Sequence, residues 1–84
     1  MLQRRGGRKI KIRFICTEGV LKFVSIANEY NSDIMVSYGH IDFDGKSTVG
    51  MMNIPINKIL NVKINSVNPD EEKKFYEMIK EYEV

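Results

Sequence analysis

Ile10, Ile12 and Phe14 alternate with Lys9, Lys11 and Arg13, the period of two expected for a β-strand with one face buried and the other in water. The alternation returns in Ile34, Val36 and Tyr38 against Met35 and Ser37, and again in Leu60, Val62 and Ile64 against Asn61, Lys63 and Asn65. Strands buried on both faces read instead as continuous apolar runs. Polar residues at every second position therefore predict a sheet covered on one side only.

The first strand is expected from Lys9 to Phe14. Thr17 can then cap a helix with its hydroxyl, Glu18 suits a positive helix N-terminus, and Val20, Phe23, Val24 and Ala27 fall at helical spacing. This helix is expected to run to about Tyr30 and to end on Asn31 in the left-handed conformation. Gly39-His40 is a Gly-X turn joining two strands into a hairpin, with Ile41 and Phe43 resuming the alternation. Ser47 sits where a short helix begins, with Val49, Met51 and Met52 before Pro55. A fourth strand follows from Ile59 to Val67. Asn68-Pro69-Asp70-Glu71 combines a capping side chain, a proline at the first helical position and acids in the first turn, and Phe75, Met78, Ile79 and Tyr82 mark the buried stripe of the last helix. The order βαββαβα predicts a two-layer α/β (α+β) open-faced sandwich, a four-stranded antiparallel sheet with three helices on one face.

Eighty-four residues, 43% of them apolar and 29% charged, describe one globular domain over residues 9–84. Residues 1–8, ending near Gly6-Gly7, are expected to be a flexible basic leader. No apolar run approaches the roughly 20 residues that span a bilayer, so no membrane partner is expected. The single cysteine excludes an intramolecular disulfide and a thiolate metal site, and neither a metal nor a cofactor is expected. With no apolar signal region behind Arg4-Arg5, the cytoplasm is the expected address. Arg4, Arg5, Arg8, Lys9, Lys11 and Arg13 crowd the start of the chain. A net charge of +2 and the lack of a recognition helix nonetheless argue against nucleic acid. Tyr30, Tyr38, Tyr76 and Tyr82 form no stacking series and read as the edge of the core.

Gly45-Lys46-Ser47 invites a nucleotide reading, since these residue types close the phosphate-binding loop. That loop needs a glycine at the position held by His40 and a long helix after it, and Pro55 stops any helix within two turns.

The chain resembles the histidine-containing phosphocarrier family, HPr, of the bacterial phosphoenolpyruvate sugar phosphotransferase system. The element order is the same, and the resemblance lies in ANEYNSDI (residues 27–34), KSTVGMMNIPI (residues 46–56) and Asn68-Pro69-Asp70-Glu71, with family-like spacing over residues 20–82. It implies that Ser47 caps the short second helix and is a candidate for regulatory phosphorylation, its phosphate meeting the helix end and the Lys46 ammonium. It also implies a protein-docking surface of Lys46, Ser47, Val49 and Met52, with Met51 plugging the core. The family strand order would leave strand one at a sheet edge, where edge pairing could form a homodimer.

The carrier histidine of the family lies in a G-[apolar]-H-A-R-P segment. Counted back without a gap, Cys16 stands in the place of that histidine, Glu18 in the place of the arginine and Gly19 in that of the proline. His40, the only histidine, belongs to the hairpin turn. Cys16 continues the Ile10, Ile12, Phe14 face and is expected to be buried packing. The resemblance thus implies a regulatory protein-binding module, not an enzyme, without a carrier histidine. Its partner would be a phosphotransferase-system component, an HPr-type kinase or a transcriptional regulator. The alternative is a phosphocarrier or redox role with Cys16 as a non-standard acceptor.

Overall fold

The computed structural model describes residues 9–84; the expected leader, residues 1–8, lies outside them. The elements are β1 (Ile10–Ile12), α1 (Thr17–Ala27), β2 (Asp33–Tyr38), β3 (Ile41–Asp44), α2 (Thr48–Met51), β4 (Leu60–Asn65) and α3 (Pro69–Met78), followed by a 3-10 turn, Lys80–Tyr82. The sheet order is β1-β4-β2-β3, every pair antiparallel. Three helices cover one face, so the open-faced sandwich expected from the alternation is the fold.

The alternation sorts the side chains as expected: Ile12, Val36, Leu60, Val62 and Ile64 are fully buried, and Lys11, Met35 and Asn65 face outward. From the helices, Val20, Phe23, Val24 and Ala27 of α1, Met51 of α2, and Phe75 of α3 complete the core, which holds no charged or polar residue among those described. Phe23 lies at its centre, edge-on to Phe14 with ring centroids 5.5 Å apart and to Phe75 at 6.0 Å. Edge-to-face pairs of this kind add to the burial of the rings themselves.

Several boundaries differ from the sequence reading, each for a visible reason. β1 ends at Ile12 because the backbone beyond it finds other partners: the Arg13 amide donates to the Tyr82 carbonyl at 2.9 Å, and the Phe14 carbonyl accepts from Asn57 at 2.8 Å. Thr17 is the first residue of α1 rather than its cap; the cap position is Cys16, extended at φ −148°, with no side-chain cap bond. The end of α1 is not a left-handed Asn31. The Asn28 side chain ends it by donating to the carbonyls of Val24 at 2.9 Å and Lys46 at 3.0 Å, and the positive φ angles among the described residues belong to Gly39 and Asn57. In α3, Met78 is exposed and Tyr76 is buried instead, and Tyr82 falls outside the helix in the 3-10 turn that follows it.

The order places β1 at a sheet edge, as expected, but that edge is already paired. Val84 donates to the Lys11 carbonyl at 3.0 Å, Ile12 bridges antiparallel to Glu83, and Arg13 bonds to Tyr82. Residues 82–84 thus act as a strap along the outer side of β1, and simple edge pairing of two β1 strands is blocked. β3 keeps an edge without a strand partner among the described residues.

Asn68 caps α3 as expected, its side-chain oxygen accepting from the Asp70 amide at 2.9 Å. The first turn of α3 is also tied to two loops. Ser32 donates to the Glu71 carboxylate at 2.6 Å, and the Ser66 hydroxyl donates to the same oxygen. These bonds, that of Ser32 first, hold the Glu71 carboxyl below its ordinary pKa. A lowered folded-state pKa contributes stability that is full above the ordinary glutamate pKa and is lost as pH falls through the lowered one. Urea denaturation across the acid range is expected to show a shallower loss of stability on acidification for Glu71→Gln than for wild type, with the variant less stable at neutral pH. Parallel profiles for the two proteins would show that the carboxylate makes no such contribution.

Candidate functional site

α2 is one turn long and cannot persist alone. Its first turn is fixed by Ser47, whose hydroxyl accepts from the Gly50 amide at 3.0 Å. A Cβ on Gly50 would stand 3.2 Å from that hydroxyl oxygen, so the glycine leaves room for the cap. Gly45 is constrained more tightly: its amide donates to the Ile34 carbonyl at 2.8 Å, and a Cβ there would approach the Ile34 side chain to 2.7 Å. The Gly45-Lys46-Ser47 tripeptide therefore serves close strand packing and a helix cap, and a four-residue α2 is not the long helix of a phosphate loop.

Lys46 anchors its surroundings. Its amide donates to Asp44 Oδ1 at 3.0 Å, its carbonyl accepts from Asn28, and its ammonium donates to the Tyr30 carbonyl in the turn after α1. In the unphosphorylated chain the ammonium expected to face a phosphate on Ser47 is engaged at the end of α1. The one-turn spacing of α2 divides the apolar residues, with Met51 fully buried while Val49 is 80% and Met52 51% exposed. The split between core and surface matches the expectation for all three.

At the other end of α1, the chain leaves the sheet through residues 13–16. Phe14 stays buried, Ile15 turns outward at 74% exposure, and Cys16 is exposed. The expected packing role of Cys16 fails because the strand alternation stops at the bend into α1. Thr17 and Met52 border one shallow cleft with Ile54 and Ile56, so the start of α1 and the end of α2 form one surface. At the far end of α1 the Lys46 carbonyl accepts from Asn28, with Ser47 next in the chain. Sequence reasoning missed Ile15, an apolar residue whose exposure only the bend reveals.

A second hollow, of about 310 Å³, adjoins Cys16 and is bordered by Arg13, Glu18, Lys22, Glu81 and Tyr82. Lys22 and Glu81 are paired across it at 3.4 Å. Burial, then the Glu81 charge and then Cys16, push the Tyr82 phenol above its ordinary pKa. His40 is exposed in the hairpin turn, with β4 and β2 between that hairpin's outer strand and β1. No group of three His, Cys, Asp or Glu side chains suited to a metal occurs among the described residues, and no helix among them is long and apolar enough to cross a membrane.

Comparison with known proteins agrees with this geometry. The crystal structure of the phosphocarrier protein HPr from Bacillus anthracis str. Ames superposes with a TM-score of 0.68 at 17% identity, covering 93% of this chain and 95% of that one. Crh, the Bacillus subtilis catabolite repression protein, whose structure is described as a swapped dimer, gives 0.64 at 19% identity over 98% and 97%. At these identities the likeness is one of fold. No curated protein matches the chain by sequence. The family model described as the PTS HPr component phosphorylation site matches residues 20–82, opening beyond Cys16 and Glu18. With three quarters of its length under that model and the same sandwich in its backbone, the chain belongs to the HPr family, the phosphocarrier proteins of the phosphotransferase system, which are not themselves enzymes.

Proposed function

We propose that this chain is a regulatory member of the family, which docks to another protein through its helix side and does not carry phosphohistidine. The observation that carries this reading is the start of α1: Cys16, Thr17 and Glu18 stand there with no imidazole, and the Arg13 guanidinium that borders the same hollow has no ring nitrogen to serve. A carrier needs a nucleophilic ring nitrogen and a cation to steady the phosphoryl group. The exposed carboxylate of Glu18 repels an incoming phosphoryl group instead. The apolar side chains of Ile15, Val49 and Met52 remain exposed, as a docking surface requires. The partner classes this reading admits are a phosphotransferase-system component, an HPr-type kinase and a transcriptional regulator.

Ser47 is the proposed switch of that surface. A phosphate on its hydroxyl can still accept from the first-turn amides of α2. With the Lys46 ammonium engaged on Tyr30, the dianion stays largely uncompensated beside Val49 and rejects acidic partners while recruiting basic ones. A second reading draws on the exposure of Cys16: its sulfur would take a phosphoryl group from the phosphorylated general phosphotransferase enzyme, the S–P bond forming as the bond to the donor breaks and the thiol proton passes to solvent.

Incubation with phosphoenolpyruvate and the general phosphotransferase enzyme separates the readings by intact mass. No adduct is expected. An adduct lost in Cys16→Ser would establish the second reading, and one mapped to His40 would refute both. With an HPr serine kinase and ATP, wild type is expected to gain one phosphate and Ser47→Ala none; equal labelling of the two discards the switch. Loss of the cap in Ser47→Ala is expected to lower unfolding stability by about 1 kcal/mol without changing the circular dichroism spectrum.

A further inference from the structure

The open face of the sheet is electrically lopsided. Directly opposed residues share a face, so the register builds one row of Lys11, Asn61, Ser37 and Asp42 and beside it a row of Lys63, Met35 and Asp44. Lys9, one step before β1, borders the same hollow of about 240 Å³ as Met35, Ser37, Asp42 and Lys63. Cations thus stand over β1 and β4, and anions over β3, with Asp33 a further anion at the start of β2 opposite Asn65. At the ordinary strand spacing β3 lies about 14 Å from β1 and about 10 Å from β4, both beyond the roughly 8 Å Debye length at physiological salt, so the two stripes attract each other only weakly across the sheet. Among the described residues the ion pair formed is Lys22 with Glu81, on the other side of the protein.

We infer that this face is the contact between two copies of the chain, related by a two-fold axis lying between the two sheets and running along the strands. That rotation lays β1 of each copy over β3 of the other. It sets Lys11 over Asp42 of the second copy, Lys9 over Asp44, and the Lys63 stem over Met35. The perpendicular axis, running across the strands, would lay β1 on β1 and β3 on β3 with like charges opposed, so the charge pattern selects one arrangement. The alternatives are weaker. The strap of residues 82–84 occupies the β1 edge, and pairing two β3 edges would bring Asp42 and Asp44 of both copies together. Four strands offer a footprint of roughly 300 Å² per copy, small and polar, so the dimer is transient and salt-sensitive. The inference is independent of docking on the helix side.

Light scattering and sedimentation of the full chain test it. At low salt and high concentration the mass is expected to approach twice 9.7 kDa, falling to the monomer as salt is raised. Asp42→Lys with Asp44→Lys is expected to abolish association, as is Lys9→Asp with Lys11→Asp. Mixing the two folded variants, checked by circular dichroism, is expected to restore a one-to-one dimer. A chain that stays monomeric at low salt overturns the inference. So does a dimer that survives both reversals, a mixture that fails to associate, or monomeric wild type whose basic stripe instead retains a DNA oligonucleotide.

Discussion

The fold turns on the ring of Phe23. It is fully buried and lies edge-on to Phe14, where the chain leaves the sheet, to Phe75 of α3, and to Tyr82 in the 3-10 turn. One side chain of α1 therefore fixes the positions of three separate segments. With α1 set, its two ends position the functional surface: Thr17 at the N-terminal end borders one cleft with Met52, and the turn after the C-terminal end receives the ammonium of Lys46, the neighbour of Ser47. Truncating a buried phenylalanine costs about 3–5 kcal/mol, much of what a domain of this length has to spare. The surface is as dependent on this ring as the core is.

The architecture was legible in the sequence because its strongest signals, strand alternation and helix caps, are local and unambiguous. Asn68-Pro69 named the start of α3, Gly39-His40 the hairpin, and alternating lysines the open face. Boundaries were less legible wherever a distant group decided them. Nothing near Ile12 announces that Tyr82 will take the Arg13 amide, and Asn28 ends α1 partly by bonding to the Lys46 carbonyl, far along the chain. Thr17 was a reasonable cap by residue type, yet the backbone chose Cys16, which offers no oxygen.

For the site, helical spacing sufficed to separate Met51 from Val49 and Met52, since one turn cannot bury all three. Direction of side chains at a bend has no such rule. Alternation carried past its last residue placed Cys16 inside, whereas the turn into α1 puts both Ile15 and Cys16 outside. Lys46 shows a related limit: its charge was visible in the sequence, but the carbonyl it answers belongs to the end of another helix.

The strap bears on the order in which the protein assembles as it is made. β1 is the first of the described elements to leave the ribosome, yet one of its edges waits for β4 and the other for residues 82–84. Both closures span most of the chain, and such contacts form late because the intervening loop must first be ordered. The β2–β3 hairpin, by contrast, can close on its own residues. During synthesis β1 is therefore an amphipathic, basic strand without a partner, and its alternating lysines keep it in solution until the last turn arrives.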